Sequence, residues 1–123
     1  MSHQIALILE DDPKLGKVYE TTLQTIGLEV ILDADGNQYR HILSAQRPSL
    51  VLLDMHLPFA RGQDVLKEIR ANPETRDTAV IVITADLFLA KSMESKGEKV
   101  LLKPFTVARL VEITRLLLPS LQS

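Results

Sequence analysis

The sequence predicts an α/β fold: a doubly wound, five-stranded parallel sheet with helices on both faces. Three observations carry the prediction. Short unbroken apolar runs at 5–9, 50–53, 80–83 and 100–102 read as strands covered on both sides, as in the interior of a parallel sheet. Segments with apolar residues three and four apart separate these runs, and strand and helix patterns alternate five times, as a layered fold with crossover connections requires. Each run also ends on polar groups, namely Glu10-Asp11, Asp54, Thr84 and Lys103, and open parallel sheets bind ligands at that carboxyl edge.

The first strand is 5–9. Asp12-Pro13 follows as an N-cap and a first helical residue, and Leu15, Val18, Tyr19, Thr22, Leu23 and Ile26 form the apolar stripe of a helix that Gly27 ends. Residues 28–34 form a second strand before the turn Asp35-Gly36-Asn37. Tyr39, Ile42 and Leu43 mark a short second helix terminated by Pro48. The central strand delivers Asp54, and the connection at 55–62 carries Pro58 and Gly62. Val65, Leu66 and Ile69 carry a third helix that Asn72-Pro73 stops. A polar loop, 74–78, leads into the fourth strand. From 87 to 98 an apolar start, Leu87-Phe88-Leu89-Ala90, gives way to polar residues. This predicts at most a short helix whose first residues join the core. Residues 100–102 form the fifth strand, and Thr106 caps a last helix with Val107, Leu110, Val111, Ile113 and Leu117 facing the sheet.

At 123 residues the chain reads as one domain, 1–123, long enough to bury roughly two thirds of its unfolded surface. Residues 119–123 read as a polar stub with no output domain after it. With 14 basic and 16 acidic residues the net charge is −2, so there is no electrostatic footprint for nucleic acid or an anionic membrane. No apolar run approaches about 18 residues, and the start lacks a signal-peptide pattern. The absence of cysteine excludes a disulfide framework and thiolate metal sites and suits the cytoplasm.

In one parallel sheet the strand exits share an edge, so three acids, a hydroxyl and an ammonium converge. Crowded carboxylates repel unless a cation sits among them, and Glu10, Asp11 and Asp54 offer only hard oxygen ligands. Magnesium is the natural guest. It keeps positions open for phosphate oxygens, while Lys103 can neutralise one oxygen and Thr84 can donate to another. A carboxylate so placed can attack phosphorus and form an aspartyl phosphate. Asp54 is the best-placed nucleophile, as the lone acid at the central exit.

Glu10-Asp11, Asp54, Pro58 and Gly62, Thr84-Ala85 and Lys103-Pro104-Phe105, in this order and spacing, closely resemble the response-regulator receiver domain of two-component systems over roughly 5–118. The resemblance implies a flavodoxin-like sheet ordered 2-1-3-4-5 with five helices. It implies that Asp54 accepts a phosphoryl group from a histidine kinase or a histidine phosphotransfer protein. It further implies that Asp11, Asp54 and the backbone carbonyl of His56 bind Mg²⁺, that Glu10 acts through water, and that Thr84 and Lys103 hold the phosphoryl oxygens. The resemblance also implies that His56 and Asp86, two residues past Asp54 and Thr84, flank the phosphoryl group and tune its hydrolysis. The chain departs from the family twice. Val100 replaces a usual aromatic residue three places before the lysine, and the stretch from Thr84 to Lys103 is about three residues short, most of a helical turn. Both changes fall on the usual output face.

Each residue alone has a plainer reading. Asp54 would be a turn-forming aspartate, Glu10 and Asp11 would favour a helix N-terminus, Thr84 would bond nearby backbone, Lys103 would be solvated, and His56 would be a surface histidine. Together they favour a phosphoacceptor switch, not an enzyme, that signals to a separate protein. A docking module that works without phosphorylation is the alternative, made credible by Val100 and the shortened segment. A Mg²⁺-dependent aspartyl-phosphate phosphohydrolase is disfavoured, because His56 stands where the general acid should be. An exposed Phe88 would mark a partner or dimer contact.

Overall fold

A computed structural model describes residues 4–122. Five strands, β1 (Ile5–Leu9), β2 (Glu29–Asp33), β3 (Leu50–Asp54), β4 (Ala79–Thr84) and β5 (Lys99–Leu102), form one parallel sheet ordered β2-β1-β3-β4-β5. The helices are α1 (Pro13–Thr25), α2 (Tyr39–Ala45), α3 (Gly62–Ala71), α4 (Leu87–Ser95) and α5 (Val107–Leu117). This is the flavodoxin-like doubly wound arrangement, and the winding reverses between β1 and β3, where such folds place their sites.

The interior strands need no alternation because both faces are covered. Leu7, Leu9, Val51 and Leu53 pack on one face with Tyr39, Ile42, Val65, Ile69 and Met93, which come from α2, α3 and α4. Ala6, Ile8, Leu50, Leu52 and Ile81 pack on the other with Tyr19, Leu23, Leu110 and Ile113 from α1 and α5. Each fully buried leucine or isoleucine contributes about 1.5–3 kcal/mol of transfer free energy, so the two apolar layers hold the strand exits in register. Leu9 pairs with Leu53, Asp54 with Ile83 and Thr84 with Leu102. Glu10, Asp54, Thr84 and Lys103 therefore leave the sheet at nearly one height.

Helix ends follow local chemistry. Asp12 caps α1 by accepting from the Lys14 and Leu15 N–H groups, and Gly27 takes a φ of 103° just beyond its end. The Thr106 hydroxyl caps α5 through the Arg109 N–H.

The fourth helix is short, as expected: α4 has nine residues and is started by Asp86, whose side chain accepts from the Phe88 and Leu89 N–H groups. Other expectations are corrected. The face of α4 through Ala90 and Met93 meets the sheet, which turns Phe88 outward at 85% exposure and leaves Leu87 exposed. These two are not core residues, whereas Leu89 packs against the core. Val18 and Val107, expected to face the sheet, are 44% and 49% exposed, because they line a groove between α1 and α5. Thr114, not in the expected stripe, is buried instead. Residues Pro119–Gln122, expected as a polar stub, form a 3-10 helix with Leu121 packed on the core. Among the described residues no helix is long and apolar enough to cross a membrane.

Candidate functional site

Asp54 is the last residue of β3, and its ladder runs one bond further, from the Met55 N–H to the Ile83 carbonyl. That fixes a carboxylate only 3% exposed at the sheet edge. Oδ1 accepts from the His56 N–H at 2.8 Å and Oδ2 from the Lys103 ammonium at 2.9 Å. Lys103 reaches it because its own backbone N–H donates to the Thr84 carbonyl at 2.7 Å, continuing the β4–β5 ladder. The same ammonium lies 3.8 Å from Glu10 Oε1.

Glu10 is 2% exposed, accepts from the Asp12 N–H, and leaves Oε1 without a hydrogen-bond partner. Burial and the adjacent Asp54 carboxylate push its pKa up to about 7, so the two acids can share a proton. For Asp54, burial works toward a higher pKa, but the His56 N–H, the Lys103 ammonium and Glu10 outweigh it and hold the group below its ordinary value. Burial and the neighbouring carboxylate thus favour the protonated form of Glu10, while the His56 N–H and the Lys103 ammonium favour the ionised form of Asp54.

The Thr84 hydroxyl is fully buried. It accepts from the Asp86 N–H at 3.0 Å and lies 3.0 Å from His56 Nε2, the ring tautomer setting which of those two donates. His56 therefore spans the site, with its backbone N–H on Asp54 and its ring on Thr84. Gly62, at the start of α3, backs the loop: a Cβ there would lie 2.5 Å from Met55 Cα and 3.0 Å from the Asp54 carbonyl.

The structure brings Glu10, Asp54, His56, Thr84 and Lys103 into contact, and the Asp11 side chain faces the adjoining cavity that His56 also lines. Consecutive residues leaving a strand point to opposite sides. Glu10 turns inward against Asp54. Asp11 is exposed and lines a cavity of about 580 Å³ with His56, Arg61, Asp86 and Leu89. A second cavity, about 750 Å³ and apolar, lies between α1 and α5 and holds none of the candidate groups.

The donor set fits a hard divalent cation. It is all oxygen, it carries excess negative charge, and one buried Glu10 oxygen has no partner. Among the described residues no three or more His, Cys, Asp or Glu side chains are already gathered as a cage for a metal ion.

Sequence reasoning missed two supports of the site. The Asp86 N–H fixes the Thr84 hydroxyl while its carboxylate caps α4, and the Asp-x-x helix start was the available signal. Tyr19 stacks on Phe105, a contact between remote segments with no local signature.

Comparison with known proteins gives a consistent picture. The family described as the response regulator receiver domain matches residues 6–115. The DNA-binding response regulator MtrA of Mycolicibacterium smegmatis is 30% identical over 91% of this chain and 49% of its own length. A probable transcriptional regulator, ycf27, of Cyanophora paradoxa is 31% identical over 91% of this chain and 47% of its own length. The chain spans about half the length of these curated relatives. Among solved structures, the receiver domain of sensor histidine kinase PA1611 from Pseudomonas aeruginosa superposes with a TM-score of 0.79 at 32% identity. The match covers 99% of this chain and 100% of that one, and that structure has a magnesium ion coordinated in its active site cleft. The N-terminal domain of a response regulator receiver protein from Methanoculleus marisnigri gives 0.71 at 32% identity, over 93% and 95% of the two chains.

Proposed function

From the premise that the chain belongs to the response regulator receiver domain family, we propose that it is a phosphoacceptor switch whose Asp54 takes a phosphoryl group from a phosphohistidine donor. The observation that carries this reading is the 2.9 Å pairing of the Lys103 ammonium with the Asp54 carboxylate, beside the Thr84 hydroxyl and the His56 ring.

Asp54 attacks phosphorus and forms a P–O bond, while the P–N bond to the donor imidazole breaks and its electron pair returns to that nitrogen. Holding Asp54 ionised keeps it nucleophilic. Lys103, already beside the attacked group, neutralises a phosphoryl oxygen, and Thr84 donates to another. Glu10, Asp11, Asp54 and the His56 carbonyl would hold Mg²⁺, which supplies charge compensation for the incoming phosphoryl oxygens. His56 and Asp86 set the lifetime of the phosphorylated state, and an unchanged dephosphorylation half-life after Ala substitution at either would sink that role.

The donor is a sensor histidine kinase or a histidine phosphotransfer protein in the cytoplasm, and the altered surface signals to a separate protein. The chain is not an enzyme acting on a diffusing substrate, and turnover of a generic phosphate ester would contradict this. The test is intact-mass measurement after incubation with acetyl phosphate and Mg²⁺. One added phosphoryl group is expected, and Asp54→Asn abolishes it.

A second reading, a docking module independent of phosphorylation, is favoured by Phe88 at 85% exposure and by Val100 in place of the usual aromatic residue. Equal partner affinity of the wild type and Asp54→Asn, with and without a phosphodonor, would select it.

A further inference from the structure

We infer that Tyr19 is a positioning residue for Lys103, acting through Phe105: the stacked pair anchors the segment that carries the ammonium to Asp54. The inference rests on the phosphoacceptor reading and adds a residue to it.

Lys103 belongs to the connection between β5, which ends at Leu102, and α5, which begins at Val107. On its strand side the residue is pinned by the bond from its N–H to the Thr84 carbonyl. Past that point the connection borders a cavity of about 420 Å³, lined also by Leu15, Val18, Ala85 and Leu110. A segment beside a hollow lacks close packing on that side, and its position depends on the contacts that remain.

Tyr19 supplies such a contact. It is 4% exposed, it lies on the inner face of α1, and its ring stacks on Phe105 with centroids 5.8 Å apart and planes 17° from parallel. Phe105 is only half-buried, and its inner side packs on the apolar cluster to which Tyr19 belongs. Burial, together with Glu10, Asp54 and Asp12, pushes the phenol pKa well above its ordinary value, and Tyr19 remains a neutral plate behind the acids. Lys103 is thus held at one end by the sheet and at the other by a ring from α1. Displacement of a catalytic group by about 1 Å can cost on the order of 10²-fold in rate, so loss of the second anchor should be measurable.

The experiment uses the whole chain with two readouts. Lysine acetylation by acetic anhydride, followed residue by residue by mass spectrometry, reports how firmly Lys103 is paired. Phosphorylation by acetyl phosphate with Mg²⁺ reports the consequence. Tyr19→Leu should raise Lys103 labelling severalfold relative to the exposed Lys14 and Lys91 and slow phosphorylation about tenfold. Phe105→Leu, which breaks the stack from its more exposed side, should do the same. Tyr19→Phe, which keeps the ring, should rescue both. In a Lys103→Gln background Tyr19→Leu should cause no further loss. Unchanged Lys103 labelling in both leucine variants overturns the inference, as does an equal loss in the Lys103→Gln background, which would mark a merely structural role. If labelling changes as expected but the wild type takes up no phosphoryl group, Tyr19 still positions Lys103 and the proposed function falls.

Discussion

The Lys103 ammonium lies 2.9 Å from the Asp54 carboxylate and 3.8 Å from that of Glu10, so one cation serves two buried acids unequally. Removing it leaves both without a counter-charge. Breaking a fully buried pair costs about 3–5 kcal/mol, and the 27% exposure of the Lys103 side chain reduces the expectation for Lys103→Met to about 2 kcal/mol. Because the cost is electrostatic, adding Asp54→Asn should restore most of it. Denaturant unfolding of the two single variants and the double variant checks this, and simple additivity would contradict it.

Glu10 makes stability depend on pH. Its folded pKa of about 7 stands above the ordinary 4.5, so between these values the native chain binds the extra proton and stability declines as pH rises. Asp54 acts oppositely. Its lowered pKa contributes stability above the ordinary 3.8, which is lost as pH falls through the folded value. In a chelating buffer, stability should peak near pH 5 and fall by about 1–3 kcal/mol by pH 8. Glu10→Gln should flatten that decline. Unfolding midpoints across the range provide the measurement, and a flat wild-type profile would count against the shared-proton arrangement.

Two glycines separate backbone conformation from space. A Cβ on Gly62 would strike Met55 backbone at 2.5 Å, whereas Gly97 has a φ of 91° and nothing within 4 Å. Gly97→Ala meets only conformational strain, about 1–2 kcal/mol. Gly62→Ala should cost more, about 3 kcal/mol, and should also slow phosphorylation, since the displaced backbone adjoins Asp54. Equal thermal shifts for the two would contradict the packing account.

Arg70 ties three segments together. Its guanidinium pairs with both Glu98 oxygens and donates to the Arg76 and Thr78 carbonyls, so it fastens α3 to the turn that follows α4. Arg70→Met should cost about 2–3 kcal/mol, because a partly buried Glu98 and two carbonyls lose their donor. Amide hydrogen exchange should quicken at 96–99 first. Unchanged protection there would mean that α4 is held by Met93 and Ala90 alone.

Phe88 supports nothing inside the fold. At 85% exposure, Phe88→Ser should leave unfolding free energy within about 0.5 kcal/mol of wild type while weakening any self-association seen by light scattering at high concentration. A large loss of stability would show that the ring packs in solution.

Most of the architecture was legible in the chain because its signals are local. Apolar runs, Asp12-Pro13 and Gly27, and the Asn72-Pro73 stop act within a turn or two, and they marked each strand and most helix ends. The exits Glu10, Asp54, Thr84 and Lys103 were legible for the same reason, since parallel pairing carries consecutive strand ends to one edge. The start of α4 was misjudged because the apolar letters of Leu87 and Phe88 outweighed the Asp86 cap, though a nine-residue helix can turn only one narrow face inward.

What the amino-acid order determined by itself, then, was the alternating layer fold and the set of polar groups gathered at its edge. The tertiary structure alone decided which of two adjacent acids faces Asp54, that the His56 ring closes on Thr84, and that Tyr19 backs Phe105. Those outcomes depend on side-chain direction and on contacts between segments far apart in sequence, and neither periodicity nor spacing encodes them.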